Sequence, residues 1–547
     1  MKKHRWLLGA LAVIFLGIYG WFATPLPTDT GVGPRFDWPD ETANYFWITR
    51  YAKTGQLIEP EPLNVAAQNQ IHPRSFNVLP GGATVPGSFL GFIVLYGSVV
   101  KVLGAGVLPY LTPLLAVLGA LAFYGIIRKM FEPNVALLAT VLLLIHPAWW
   151  YYAATPLLPN VAFVSFLLMS VYLMVKKMPD AEAPGRWFEP GASRASWNAA
   201  LAAGALAGLA LAIRPSEVIW VGALYLVILL WTSRTLTLLR LLLFLAMTVA
   251  AIVPAFYNQA AIYGNWFTTG YNQLEVAAAT AANQACQVCS ITRSLIAPFG
   301  FHPSLAAYNF WVHYVSRFWW LSLFAVLGLV VFLTRPQRRP AAPFVYLLVS
   351  LVIGLWLAFY YGSWQFSDQL TVSLNTLGLS YVRYWLPGYL LALPFVALGL
   401  LWFTTFLPKG PAALLLVLML GFIGYQSVHV TLVAKADSLL PVRERIAGYK
   451  RTAAAVFGAT EPESVIVTVR KDKVFFPDRK VIHTFSALSL NPELLGFLPA
   501  LVTMVPTYYY ALGPEPTLEF ENGVRLEEVG RFGQEVLYRV EKNNFEF

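Results

Sequence analysis

The sequence predicts an all-α polytopic membrane protein with a small C-terminal α/β domain. Three observations predict it. The chain is 57% hydrophobic and only 12% charged over 547 residues. Apolar runs of spanning length, about 17–25 residues, recur as far as residue 433 and then stop. Beyond that point short stretches of alternating pattern replace them. A soluble chain of this length needs more polar surface than such a composition supplies, and the mean hydropathy of +0.59 agrees. Membrane lipid is the expected solvent of most of the chain.

Residues 1–5 (MKKHR) lead into an apolar run at 6–23. A secretory signal has the same outline, but the following ATPLPTD offers no clear small-x-small cleavage site, so a retained first helix is expected. Further runs lie at 107–127, 135–152, 161–175, 197–213, 217–231, 238–256, 316–334, 343–361, 385–404 and 411–433. In this scheme of eleven spans the basic loops at 1–5, 128–129, 176–194, 233–240 and 334–339, with Lys409, fall on one side. The positive-inside bias makes that side the cytoplasm. It also accounts for the net charge of +10 without nucleic acid as a partner. A multi-pass protein of the plasma (inner) membrane follows, with a cytoplasmic N-terminus and everything after about residue 434 outside.

Residues 86–104 (PGSFLGFIVLYGSVVKVLG) are nearly long enough to span. Spanning there would invert every later basic loop, so a helix lying in the outer interface is expected. The tail reads as an amphipathic helix at 439–459, strands at 464–470 and 480–485, and a helix at 491–505. Strands at 507–512, 523–530 and 534–541 follow, the last two an antiparallel pair. The division expected from composition is a membrane domain at 1–433 and an extracytoplasmic domain at 434–547.

The densest chemistry is at residues 36–56 (FDWPDETANYFWITRYAKTGQ). Asp40 and Glu41 open a predicted helix behind Pro39, and Asp37 lies just upstream. Acids at a helix N-terminus offset free backbone N–H groups and the dipole. One acid suffices for that, and three at the mouth of a span point to general-base or metal work.

PDETANY at 39–45 resembles the first-outer-loop motif of the GT-C membrane glycosyltransferases, most closely the lipid A aminoarabinose transferases and their bacterial relatives. Three more stretches are similar to segments of that group in the same order: GALAGLALAIRP at 204–215, NQAAIYGNWFTTGY at 258–271, and SYVRYWLP at 380–387. The resemblance covers residues 1–433. It implies an integral enzyme that takes a sugar from a polyprenyl-phosphate donor at the outer face and passes it to a lipid, glycan or protein acceptor. It places the family's first-loop acid on Asp40, as base or acceptor-orienting group, with Glu41 beside it.

A hydroxyl acceptor needs a carboxylate in reach to take its proton as the new bond forms. A phosphate leaving group needs fixed positive charge, and the arginine fork matches it bidentately. Direct displacement would invert the anomeric carbon. Arg383, in the Arg-Tyr motif with Tyr384, is the first candidate for the donor phosphate, against interfacial anchoring by snorkelling. Arg214 ends the fifth run near Glu217, so a local ion pair competes with phosphate binding. Arg74, with His72, lies where the relatives have a nearby lysine; here Val85 stands in place of that lysine before Pro86. Asp37, His72, Asn258, Tyr271 and Tyr384 complete the candidate substrate contacts.

Relatives often carry an acid in the loop after the third span, where this chain has Asn160. That weakens a two-carboxylate metal site, so a divalent cation has no assigned ligands here. Cys286 and Cys289 lack a second zinc pair, and on an oxidising face a short-loop disulfide is the expectation. A polytopic transporter or lipid flippase is the competing class. It calls for ionisable or broken-helix features at midspan, which the deep parts of these runs hardly offer. An inactive scaffold of the same fold is the third reading.

Overall fold

The computed structural model describes residues 2–25, 33–177, 196–232, 237–272, 296–334, 341–365 and 376–543. Cys286 and Cys289, and with them the expected disulfide, lie outside the described residues. The chain packs as two compact units. One comprises residues 1–24, 108–257 and 274–441; the other comprises 25–107, 258–273 and 442–547. The tail thus shares a unit with the loop after the first helix, so the packing boundary follows a different line from residue 433.

The first unit is helical. All eleven predicted runs lie on helices. Among the described residues six helices are by themselves long and apolar enough to cross a membrane: Trp6–Ala23, Ala105–Met130, Leu238–Tyr263, Ala342–Gly362, Leu386–Thr404 and Lys409–Leu432. Three bent pairs raise the number to nine if each is one span. The difference from eleven has two sources. The runs at 197–213 and 217–231 form one such pair, turning through 112°, because Pro215 has no N–H to continue the ladder. The helix Pro159–Val175, with 17 residues, is at the lower limit of spanning length and stands apart from the six as a shorter apolar helix.

Lipid tails are as apolar as leucine side chains, so close backbone approach, not hydrophobicity, holds such helices together. Glycines supply it here. A Cβ at Gly328 of Trp319–Thr334 would collide with the carbonyl of Phe395 on Leu386–Thr404, and one at Gly399 with that of Phe324. Gly204 and Gly208, inside the GALAGLALAIRP stretch, likewise press on the backbone at Phe244 and Thr248. That stretch is therefore a helix contact as well as an approach to Arg214.

The second unit is built on a six-stranded sheet, β3 (Val465–Val469), β4 (Lys480–Thr484), β5 (Thr507–Ala511), β6 (Glu519–Phe520), β7 (Val524–Phe532) and β8 (Glu535–Lys542), in the order β4-β3-β5-β8-β7-β6. β3 runs parallel to β4 and β5, while β5–β8 and β7–β8 are antiparallel. Because strand side chains alternate, Val465, Val467 and Val469 enter one core and Ile466 the other. Ala453 and Val456 of the helix Leu439–Gly458 cover the Ile466 face. Leu494, Phe497 and Leu501 of Pro492–Leu501 cover the opposite face together with Ala67 and Ile71 from the early loop.

The early loop contributes the helix Pro39–Thr54, the hairpin β1 (Phe76–Val78) and β2 (Thr84–Pro86), and the helix Leu90–Leu103. Gly97 lets the two helices close, since a Cβ there would stand 2.7 Å from the Tyr51 ring and 3.2 Å from the Ile48 carbonyl. Leu90–Leu103 has 14 residues and so rises about 21 Å, short of a hydrocarbon core of about 30 Å.

Candidate functional site

In the second unit the acids of residues 37–41 divide into two kinds. Asp37 is buried and ion-paired. Arg445 donates to it bidentately, Nε to Oδ1 at 3.0 Å and Nη2 to Oδ2 at 2.5 Å, and Lys473 Nζ reaches Oδ1 at 3.0 Å and the main-chain carbonyl. Burial opposes ionisation of Asp37, yet Lys473 and Arg445 outweigh it and hold the carboxyl below the usual carboxylate range. The site expected to touch substrate at Asp37 is therefore occupied by cations of the tail.

Asp40 and Glu41 sit in the first turn of Pro39–Thr54, behind a Trp38 N-cap that supplies no side-chain cap. Their charge favours the helix N-terminus. Glu41 is buried, whereas Asp40 is half-buried, and the Ser75 hydroxyl donates to Asp40 Oδ1 at 2.5 Å. Of the two, Asp40 is better placed for proton transfer with an incoming group.

Arg74 is engaged by Asp472. Its main-chain N–H donates to Oδ2 at 2.8 Å, its Nε to Oδ1 at 2.9 Å, and its Nη2 to the Arg470 carbonyl at 2.8 Å. Asp472 is fully buried and, despite that burial, is held low by Arg74. Next to it His72 faces His483, ring centroids 5.2 Å apart. Burial lowers the His72 pKa to about 4 and lowers that of His483 as well. The Gly-Tyr loop closes on the start of Leu90–Leu103: Asn77 Nδ2 donates to the Gly270 carbonyl at 2.6 Å, and Tyr271 rests edge-on against Phe89. A Cβ at Gly270 would meet the backbone of Gly87 at 2.5 Å, which is why glycine precedes the tyrosine. Asn258, half-buried, lies in the last turns of Leu238–Tyr263.

In the first unit two of the three candidate arginines come together on one ring. Arg214, at the break before Pro215, donates Nε to Glu217 Oε1 at 3.0 Å and Nη2 to the Tyr361 hydroxyl at 2.8 Å. Trp220 Nε1 and the Tyr361 hydroxyl also donate to Glu217, so the local ion pair anticipated as the competing role is present. The Arg214 guanidinium lies 4.8 Å from the centre of the Tyr384 ring and that of Arg383 lies 5.1 Å from it. Tyr361 stacks on Tyr384 at 4.6 Å. Arg383 Nη2 also contacts the Ser380 hydroxyl at 3.0 Å, and Asn160 Nδ2 donates to the Arg383 carbonyl at 3.1 Å. Asn160, standing where relatives carry an acid, thus holds the Arg-Tyr segment.

Beside this segment is an apolar cavity of about 410 Å³, lined among others by Phe310, Tyr314, Leu357, Trp385 and Phe395. Trp385 follows Tyr384 directly and donates Nε1 to the Leu357 carbonyl at 2.8 Å. Among the described residues no group of three or more His, Cys, Asp or Glu side chains converges as a metal would require. The buried Asn160 Oδ1 is a single neutral oxygen, and one such donor does not make a cation site.

Reading the sequence missed Tyr361, Ser75, Asp472, Arg445 and Lys473. The run Lys471-Asp472-Lys473 was a visible signal, but the partners of Asp472 and Lys473 lie about four hundred positions upstream.

No protein-family model matches the sequence, and no curated protein matches it. Among solved structures, ArnT from Cupriavidus metallidurans in the apo state aligns with 13% identity and a TM-score of 0.51, covering 98% of each chain. The same protein bound to undecaprenyl phosphate aligns with 12% identity and a TM-score of 0.50, also over 98% of each chain. The oligosaccharyltransferase AglB from Archaeoglobus fulgidus aligns with 12% identity and a TM-score of 0.44, over 91% of this chain and 69% of that one. The chain shares its fold with ArnT: a helical assembly followed by a C-terminal sheet.

Proposed function

We propose that this chain is a membrane glycosyltransferase that moves a sugar from a polyprenyl-phosphate donor to a lipid, glycan or protein acceptor. The observation that carries the reading is the convergence of Arg383 and Arg214 on Tyr384 beside an apolar groove, in the fold of a protein solved with undecaprenyl phosphate. A prenyl chain is apolar and long, and the groove offers it mostly hydrocarbon and aromatic surface. Its phosphate needs fixed cations, and Arg383, resting on a ring and a hydroxyl, is the leading candidate. Arg214 supports it while remaining neutralised by Glu217. Arg74, held by Asp472, is the weakest of the three for this role.

Asp40 is assigned as the base. It takes the acceptor proton as the acceptor oxygen or nitrogen bonds to the anomeric carbon, while the carbon–oxygen bond to phosphate breaks and its electrons leave with the phosphate. The departing group is already anionic, so positive charge suffices and no acid is required. One displacement inverts the anomeric centre. The tail, woven into the unit that holds Asp40, is proposed to choose the acceptor on the extracytoplasmic face of the plasma (inner) membrane, with the N-terminus in the cytoplasm. A divalent cation has no ligands assigned here, and the EDTA arm of the test below decides whether transfer needs one.

The test is transfer of radiolabelled sugar from polyprenyl-phosphate donors in membranes, with and without EDTA, comparing wild type with Asp40→Asn. Loss of a general base costs about 10²–10⁴-fold. Transfer by wild type that collapses in Asp40→Asn supports class and base together. Equal rates would move the base to Glu41. No turnover with any donor, accompanied by lipid or solute movement in vesicles, would sink the enzyme reading and favour a transporter.

A further inference from the structure

We propose that Asp472, in the C-terminal part of the chain, sets the geometry of Asp40 through Arg74 and Ser75, making Ser75 and Asp472 positioning residues for transfer. The proposal rests on Asp40 being the base. Ser75 has φ of +65°, a region that side chains of L residues avoid. A serine persists there only when its surroundings over-determine it. Both of its neighbours are held. On one side Asp472 binds the Arg74 main-chain N–H and its guanidinium at 2.8 and 2.9 Å. On the other, the Ser75 carbonyl accepts from Gly87 N–H at 3.0 Å, and Gly87 lies so close that a Cβ there would be 2.8 Å from the Ser75 carbonyl.

The left-handed turn aims the hydroxyl at Asp40 Oδ1, 2.5 Å away. A donor to an ionised carboxylate stabilises that form and orients it. The plane of the Asp40 carboxylate is thereby fixed, which is what proximity catalysis requires of a base. Asp472 is fully buried at the start of the short helix Asp472–Phe475, so its position is that of the sheet itself. The catalytic acid of an early loop is thereby registered on strands made more than four hundred residues later.

The experiment uses the full chain in detergent. A carbodiimide reacts with protonated carboxyl groups, so its incorporation at Asp40 against pH, read by peptide mass spectrometry, follows that one carboxyl without turnover. Ser75→Ala removes the hydroxyl and keeps the awkward turn. Ser75→Gly removes the hydroxyl and relaxes the turn, so it separates the hydrogen bond from strain. A hydrogen bond to a charged group is worth about tenfold or more, which is about one pH unit. Both variants are expected to move the labelling midpoint at Asp40 up by about that much. They should also lower kcat by about tenfold and leave KM for the polyprenyl-phosphate sugar unchanged. Asp472→Asn should do the same to a smaller extent. A Ser75→Gly protein whose labelling midpoint superposes on wild type would overturn the proposal. A shifted midpoint in a chain that transfers no sugar from any donor would overturn it by way of the function it rests on, and the two failures are told apart by the labelling alone.

Discussion

The two units handle buried charge in opposite ways. In the unit containing the tail, acids and bases saturate one another: Asp37 with Arg445 and Lys473, Arg74 with Asp472, and Lys480 with Glu61. In the helical unit Arg214 and Arg383 are drawn to one aromatic face and a set of hydroxyls, and Glu217 balances Arg214. A guanidinium above a ring keeps its charge while losing little solvation. Ion pairs across hundreds of positions build the first arrangement, while the second combines one local pair, Arg214 with Glu217, with an aromatic ring shared by two guanidinium groups.

Substitutions that leave a buried charge uncompensated should break this contrast most strongly. Asp37→Ala strands Lys473 and Arg445, and Arg214→Met strands Glu217; each is expected to cost about 3–5 kcal/mol, seen as lower thermal midpoints in detergent. Arg383→Gln should do the reverse. If it holds a developing negative charge, kcat falls about 10²–10³-fold while the thermal midpoint barely moves. A melting loss in Arg383→Gln as large as that in Arg214→Met would erase the distinction between the two arginines.

Acid should weaken the paired unit. His72 titrates near 4 when folded because burial disfavours its cation, against an ordinary value of 6.5. Between those values the unfolded chain binds more protons, so stability falls as pH drops from about 6.5 to 4, by on the order of 3 kcal/mol. Asp37 and Asp472, both held low, stay ionised in that window and lose their contribution only below it. His72→Asn should flatten the slope of stability measured by chemical unfolding at several pH values. An unchanged slope would assign it elsewhere. The smallest effect belongs to the helical unit: Gly328→Ala drives a methyl into the Phe395 carbonyl and should cost about 1–3 kcal/mol. A neutral result in a thermal melt would show that those two helices can separate without loss.

Much of this was legible in order along the chain. The helix Pro39–Thr54 follows from Pro39 and two acids at its start, and β3, β5 and the β7–β8 pair follow from their alternation. The Arg-Tyr stretch and the Arg-Pro stretch were legible as candidate sites, but not that Tyr384 would receive both arginines. What stayed hidden is of one kind. The bond from Arg74 to Asp472 joins positions 398 apart, and that from Asp37 to Arg445 positions 408 apart. Neither has a local signature, because an Asp in KDK has the same composition whether solvated or buried. For the same reason composition placed a boundary near residue 433, blind to Ala67 and Ile71 entering the core of the sheet.

That entry has a consequence for how the protein is made. A ribosome delivers residues 25–107 to their side of the membrane long before it has translated the strands on which Ala67 and Ile71 rest. The early loop must therefore wait, its apolar positions uncovered, through the synthesis of more than half the chain. A nascent chain arrested before its last hundred residues would carry the Asp40 loop without the strands on which Ala67 and Ile71 pack.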